Sequence, residues 1–204
     1  IAQGGQVYLV GGCVRDDIMG HSSHDIDVEV YHLSYSQLHT ILSQYGHVNT
    51  FGKSFAIMQV DTLHNYDFAL PRKEIKTGEK HQDFDIIMNP DLPIEKALKR
   101  RDLTMNALMY DYQNQKIIDI YGGKEDIEKN RIRCVDPHTF IEDPLRVLRI
   151  AQFVARFEMQ VEENTKQLCQ QMVQDHLLDH LSIERIYREY CKILMSSHPS
   201  LGFE

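Results

Sequence analysis

The sequence predicts an α+β protein, with a head of strands and helices over residues 1–138 followed by an all-helical neck over 139–204. The head is predicted by a series of short β-rich runs broken at glycines. One of them, HDIDVEV (24–30), alternates strictly, with Asp25, Asp27 and Glu29 on one side and Ile26, Val28 and Val30 on the other. The neck is predicted by a change of period. From Pro144 onward Val147, Ile150, Val154 and Phe157 fall on a single helical stripe.

Taken in order, QVYLVGG (6–12) is a β-rich run closed by glycines, and VRDDIMG (14–20) is one to two helical turns stopped by Gly20. After the alternating strand, SYSQLHTILSQYG (34–46) reads as an amphipathic helix with a serine start and a glycine stop. FAIMQVDTL (55–63) and NYDFALPR (65–72) read as a hairpin pair of strands. Residues 73–93 are polar at first and end with two prolines, which predicts a long loop holding at most one short strand. PIEKALKRRDLTMNALMYD (93–111) reads as a helix, and KIIDIYGG (116–123) as a strand and turn. In the neck, residues 162–181 and 182–196 give two more helices.

With 42% hydrophobic and 25% charged residues among 204, the composition is that of an ordinary globular chain with enough length for a real core. No apolar run approaches the roughly 20 residues of a membrane span, and no signal-peptide pattern is present. Cys13, Cys134, Cys169 and Cys191 form no CxxC pair and read as reduced thiols, which predicts a cytoplasmic location. A net charge of −8 argues against a protein that coats nucleic acid by charge alone. The basic residues cluster in KALKRRD (96–102), RIR (131–133) and the arginines of 146–156, a pattern suited to gripping phosphates at a defined place. Both ends read as cut, so the natural protein is expected to be longer, chiefly downstream.

Carboxylates at i and i+2 of a strand lie about 6.5–7 Å apart on one side. Asp25 and Asp27 can therefore converge on Mg²⁺ ions held about 3.5–4 Å apart, the arrangement used in two-metal phosphoryl transfer. Asp67 in YDFAL is the best placed third carboxylate, with Asp61 and Glu29 weaker candidates. The same aspartates would also suit the solvent face of an edge strand. The glycine pair bears on that choice, because Gly11 and Gly12 let backbone N–H groups approach phosphate oxygens and Arg15 adds a charge-assisted donor. FGKS (51–54) ends like a phosphate-binding P-loop, but the fingerprint needs glycine where His47 stands.

In EDPLRVLR (142–149), Asp143 and Arg146 lie one helical turn apart and Arg149 follows at the next. An aspartate accepts hydrogen bonds and an arginine donates them in a rigid fork. Adenine and cytosine each offer an exocyclic amine beside a ring-nitrogen acceptor, so an Asp–Arg pair admits both and excludes guanine and uracil. The plainer reading of the pair is a surface salt bridge worth under about 1 kcal/mol.

These segments together resemble the class II tRNA nucleotidyltransferase and bacterial poly(A) polymerase family. LVGGCVRDDIMG with HDIDV is similar to its first motif, RRDLTMNAL (100–108) to its second, DIYGGKEDIEKNRIRCV to its third, EDPLRVLR to its fourth and SIERIYRE (182–189) to its fifth. The resemblance implies a polymerase-β-like head, a helical neck and transfer of CMP and AMP from CTP and ATP to a tRNA 3′ end. It implies Mg²⁺ at Asp25 and Asp27, the triphosphate at Gly12 and Arg15, and the ribose at Arg101 and Asp102. Asp143 and Arg146 would read the base, with Arg149 supporting them. Gln152 departs from the family, which often has arginine there. The long segment at 73–93 favours full CCA addition over CC addition, and an A-adding enzyme or poly(A) polymerase remains the alternative. A metal-dependent HD phosphohydrolase (from His24–Asp25), a metal shared by His176 and His180 on one helical face, and a non-catalytic RNA-binding module are the other readings.

Overall fold

The computed structural model describes residues 3–51, 57–76 and 84–204. They gather into two compact units, one holding described residues from 3–76, 84–98 and 106–120, the other holding 99–105 and 121–204. The chain passes between the units more than once, so the packing units do not correspond to a single cut at residue 138.

The first unit begins with β1 (Gln6–Val10), α1 (Gly12–Ile18), β2 (Ile26–Tyr31) and α2 (Tyr35–Leu42). Next come β3 (Val48–Phe51), β4 (Ile57–Val60), β5 (Tyr66–Ala69), β6 (Arg72–Lys76), β7 (Phe84–Met88) and α3 (Ile94–Lys99), then β8 (Leu108–Asp111) and β9 (Lys116–Asp119). Seven strands form one mixed sheet in the order β3-β4-β5-β2-β1-β8-β9. The α+β class expected from the sequence is the class observed. β2 lies fourth of the seven, antiparallel to β1 and parallel to β5. The aspartate strand is thus internal, and the edge-strand reading of Asp25 and Asp27 falls.

One face of β2 is anchored by Val28 and Val30, which join Leu33, Leu38, Leu42, Met58, Val60 and Leu70 in a buried apolar cluster. Leu38 and Leu42 stand one turn apart on α2, whose start is fixed by a reciprocal capping box between Ser34 and Gln37. Each such side chain contributes about 1.5–3 kcal/mol on burial. The opposite side chains of β2 are thereby turned to the other face.

Two expectations for this unit are corrected. Residues 73–93 contain two strands rather than at most one, since β6 and β7 pair antiparallel from Arg72↔Met88 to Lys76↔Phe84. β6, RKEIK, is mostly charged and lacks the apolar run that marks a strand, so the partner of β7 was hidden by polarity. Part of the expected loop, residues 77–83, lies outside the described residues, as do residues 52–56 of the FGKS stretch and the first expected hairpin strand. Residues 93–111 are not one helix. α3 ends at Lys99, a 3₁₀ turn covers Thr104–Asn106, and β8 enters the sheet between β1 and β9. Leu103, Met105, Ala107, Leu108 and Met109 are all fully buried. Consecutive burial on both sides suits an internal strand and not a one-sided helix.

The second unit contains α4 (Gly123–Glu128), β10 (Arg131–Ile132), α5 (Pro137–Phe140), α6 (Leu145–Phe157), β11 (Gln160–Val161), α7 (Glu163–Gln174) and α8 (Ile183–Leu194). The neck is therefore not wholly helical, because β11 pairs parallel with β10. α7 stops at Gln174 and His176 takes a left-handed conformation at φ 58°. His176 and His180 consequently do not share a helical face, which removes the geometry a common metal would need. Phe140, Met159, Met172 and Ile193 fill the core of this unit. Gly202 sits so tightly between Ala151, Ala155 and Ile193 that a Cβ there would fall 2.9 Å from the Ala151 carbonyl.

Candidate active site

In the first unit, Asp25 immediately precedes β2 and Asp27 is its second residue, and both are exposed. The parallel pairing sets Asp27 directly opposite Asp67 on β5. Side chains alternate along a strand and match across a pairing, so Asp25, Asp27 and Asp67 share one face. Asp67 Oδ1 accepts a 2.5 Å hydrogen bond from the Gln59 amide on β4, which fixes its orientation. Glu29 lies further along the same face but is buried, opposite Tyr8 and bonded to the Tyr31 hydroxyl at 3.4 Å. Asp61 takes a bond from Asn49 and belongs to the β4–β5 turn. Among the described residues no three His, Cys, Asp or Glu side chains gather closely enough to hold an ion alone.

Gly11 ends β1 at φ 72°, ψ −125°, a conformation that glycine adopts readily. Its N–H donates to the Leu108 carbonyl at 3.0 Å, so the amides facing out of the turn begin at Gly12, the first residue of α1. Arg15 is buried. Its Nε and Nη2 donate to Asp16 Oδ1 at 2.8 and 2.6 Å, and its Nη1 donates to Asn106 Oδ1 at 2.6 Å. Two of these N–H groups thus clamp the neighbouring Asp16, and the third ties α1 to Asn106. Cys13 lies beside it, and burial pushes its thiol pKa up, which makes it a poor nucleophile.

In the second unit the arginine row is held by named acceptors. Arg146 donates to the carbonyls of Thr139 (2.6 Å) and Arg100 (2.7 Å) and lies over the Phe140 ring. Asp143 caps the start of α6 through Leu145 N–H and accepts from Arg185 of α8 at 3.1 and 3.2 Å. Arg149 donates through Nε to Asp102 Oδ2 at 2.8 Å, with Nη2 at the same distance, and lies over Phe153. Burial works against the Arg149 charge, but Asp102, with Glu189 and Asp143, more than offsets it and raises the pKa. Asp102 is itself buried and accepts from the Leu103 amide. Arg101 is half-buried in the same segment.

That segment is fixed from below by Asp126, which has no exposed surface. Its oxygens accept from Thr104 (2.6 Å), Arg131 (2.5 Å) and Arg133 (2.9 Å). Sequence reasoning missed Asn106, Asp126, Arg185 and Glu189. Their signal was the closeness of Asn106 and Asp126 to the basic islands, which predicts buried partners for some of those cations.

An internal strand carrying outward carboxylates beside a glycine turn, with a separate helical unit bearing buffered arginines, is the construction of a nucleotidyltransferase. The chain matches the poly A polymerase head domain over residues 7–133 and belongs to that family. Residues 158–204 match the probable RNA and SrmB-binding site of polymerase A. The multifunctional CCA protein of Acinetobacter baylyi is 38% identical over 205 residues, covering 98% of this chain and 47% of that protein. The Thermotoga maritima CCA-adding enzyme complexed with tRNA superposes with a TM-score of 0.81 at 27% identity, covering 99% of this chain and 46% of the other. A CCA-adding enzyme with CTP gives the same TM-score and identity, covering 45% of that chain. The chain spans about half the length of the curated relatives it matches.

Proposed function

We propose that the chain forms the head and neck of a tRNA nucleotidyltransferase that adds CMP and AMP from CTP and ATP to tRNA 3′ ends. The observation that carries this reading is the register of Asp27 on Asp67, with Asp25 on the same face of an internal strand. Their hard oxygen donors suit Mg²⁺ better than a softer metal. Bound Mg²⁺ would supply Lewis-acid polarisation of the α-phosphate and a lowered pKa at the attacking 3′-hydroxyl.

The remaining work belongs to the side chains. Asp25 and Asp27 would hold the ions, with Asp67 orienting the reacting hydroxyl. Gly12 amides and the Arg15 region would line the triphosphate, and Arg101 and Asp102 would meet the ribose. Asp143 and Arg146 would present an acceptor and a donor fork to adenine or cytosine. The two carbonyls that hold Arg146 support a base-reading role, because a guanidinium fixed before the base arrives loses little freedom on binding. The four cysteines, all free, fit a cytoplasmic protein.

Calorimetric titration with CTP, ATP, GTP and UTP in Mg²⁺ tests the reading, with Arg146→Ala as control. Binding of CTP and ATP alone, lost in the control, is the expected result. Binding of ATP alone would instead identify a poly(A) or A-adding enzyme, and CTP alone a CC-adding one. Equal binding of all four would remove the template.

A further inference from the structure

Glu189 is 3% exposed. Its Oε1 accepts from Lys192 Nζ at 2.6 Å, whereas its Oε2 is buried with no hydrogen-bond partner among the described residues. A buried carboxylate oxygen in that condition is unfavourable and calls for an account of what uses it.

Its position can be read from the packing of α8 on α6. Asp143 meets Arg185 at a sequence separation of 42, and Ala151 and Ile193, separated by the same number, both close on Gly202. The two helices therefore run in the same direction in constant register. That register sets Glu189 level with Val147, between Arg146 and Arg149 in sequence height. Glu189 also stands one turn before the buried Ile193, on the side of α8 that faces α6.

We propose that Glu189 is a positioning residue and the second seat of Arg149. When Asp102 turns to the 2′-hydroxyl of a bound ribose, the Arg149 guanidinium moves its hydrogen bonds from Asp102 to Glu189 Oε2. The inference rests on the reading of Asp102 as a ribose contact given above. As the chain stands, Asp102 Oδ2 is occupied by Arg149 and Oδ1 by the Leu103 amide, so a ribose hydroxyl competes directly with the arginine. Without Glu189 the exchange would leave a half-buried guanidinium without a carboxylate partner, which is unfavourable. With it, the cation keeps a carboxylate partner in both states.

The test is calorimetric titration of the whole protein with CTP and with 2′-deoxy-CTP. It compares the unaltered protein with Glu189→Gln, Arg149→Gln and the double variant. Glu189→Gln is expected to weaken CTP binding about tenfold and deoxy-CTP binding by less than about twofold, because only the ribose draws Asp102 away from Arg149. In the Arg149→Gln background the same change is expected to cost CTP nothing further. Equal losses for both sugars, or an undiminished loss when Arg149 is absent, overturn the exchange alone. Failure of the unaltered protein to bind either nucleotide overturns the nucleotide reading and the exchange with it. Should Glu189→Gln not fold, Glu189→Asp, which keeps the charge on a shorter arm, is expected to show the same preference for loss of CTP binding.

Discussion

Asp27 and Asp67 stand opposite one another across the parallel pairing of β2 and β5, at a strand separation of about 4.8 Å. Two same-face carboxylates at that spacing repel each other, a cost that an ion held at Asp25 and Asp27 would offset. Asp27→Ala is expected to lower nucleotide incorporation at least a hundredfold, roughly the effect of removing one preorganised electrostatic contact. Its thermal midpoint measured without Mg²⁺ should not fall. Retained incorporation in a primer-extension assay would falsify the assignment.

The same pair predicts a metal-linked stability. Mg²⁺ at about a hundred times its dissociation constant stabilises the folded state by roughly 2.7 kcal/mol. A thermal melt with and without Mg²⁺ should show that increment in the unaltered protein and not in Asp27→Asn. An equal shift in both would place the ion elsewhere.

Arg146 is gripped by two carbonyls that a lysine ammonium cannot span in the same planar fork. Arg146→Lys is therefore expected to behave like Arg146→Ala in base selection. Discrimination of CTP over UTP should drop about tenfold or more in either variant, by competition titration. A lysine variant with full selectivity would show that charge alone is read.

Asp126 is enclosed by Thr104, Arg131 and Arg133. Its replacement by alanine leaves two guanidinium groups without their shared acceptor and is expected to destabilise the protein by about 3–5 kcal/mol. Urea denaturation gives that number directly, and a loss under about 1 kcal/mol would mean the arginines find other partners.

Acid should weaken the fold through three carboxylates. The Asn114 amide is the largest influence holding Asp111 below its ordinary 3.8. At Asp136, burial alone would raise the pKa, but the Thr139 amide and Lys99 outweigh it and bring it below 3.8. At Glu162, burial again pushes upward, and the Thr165 amide and hydroxyl bring the result below 4.5. Groups with depressed pKa values contribute stability above the unfolded value and lose it as pH falls through the folded one. The denaturation midpoint should be flat above these ordinary values and decline below them, with a shallower decline in Asp111→Asn.

Periodicity revealed β2 and the helix α6, although of the expected stripe Val147, Ile150, Val154 and Phe157 only Ile150 is buried, beside Leu145, Phe153 and Ala155. It misled at 93–111, where Leu103 to Met109 are buried from both sides and the alternation that marks a strand disappears. It also allowed at most one short strand where β6 and β7 form two. At the site, Asp25, Asp27 and Asp67 were visible as residues, and Asp67 was placed by the strand order that only the folded sheet defines. Asn106, Asp126 and Glu189 were not visible, since a buried polar side chain has the same letter as an exposed one. Its meaning lies in partners far along the chain, such as the 91 residues that separate Arg15 from Asn106.

Among the described residues, β2–β5 is the single parallel pairing in the seven-stranded sheet. Parallel neighbours cannot be joined by a tight turn, so α2, β3 and β4 all lie on the path between Asp27 and Asp67. Closing that excursion is a non-local event that must bear its loop entropy before the contacts form, and such events come late and slowly in folding. A nascent chain can finish the antiparallel β1–β2 pairing early and still have only half of its acidic pair. On the proposed reading, metal affinity would report on the completion of the sheet, and a refolding experiment followed by Mg²⁺ binding should lag one followed by helix signal.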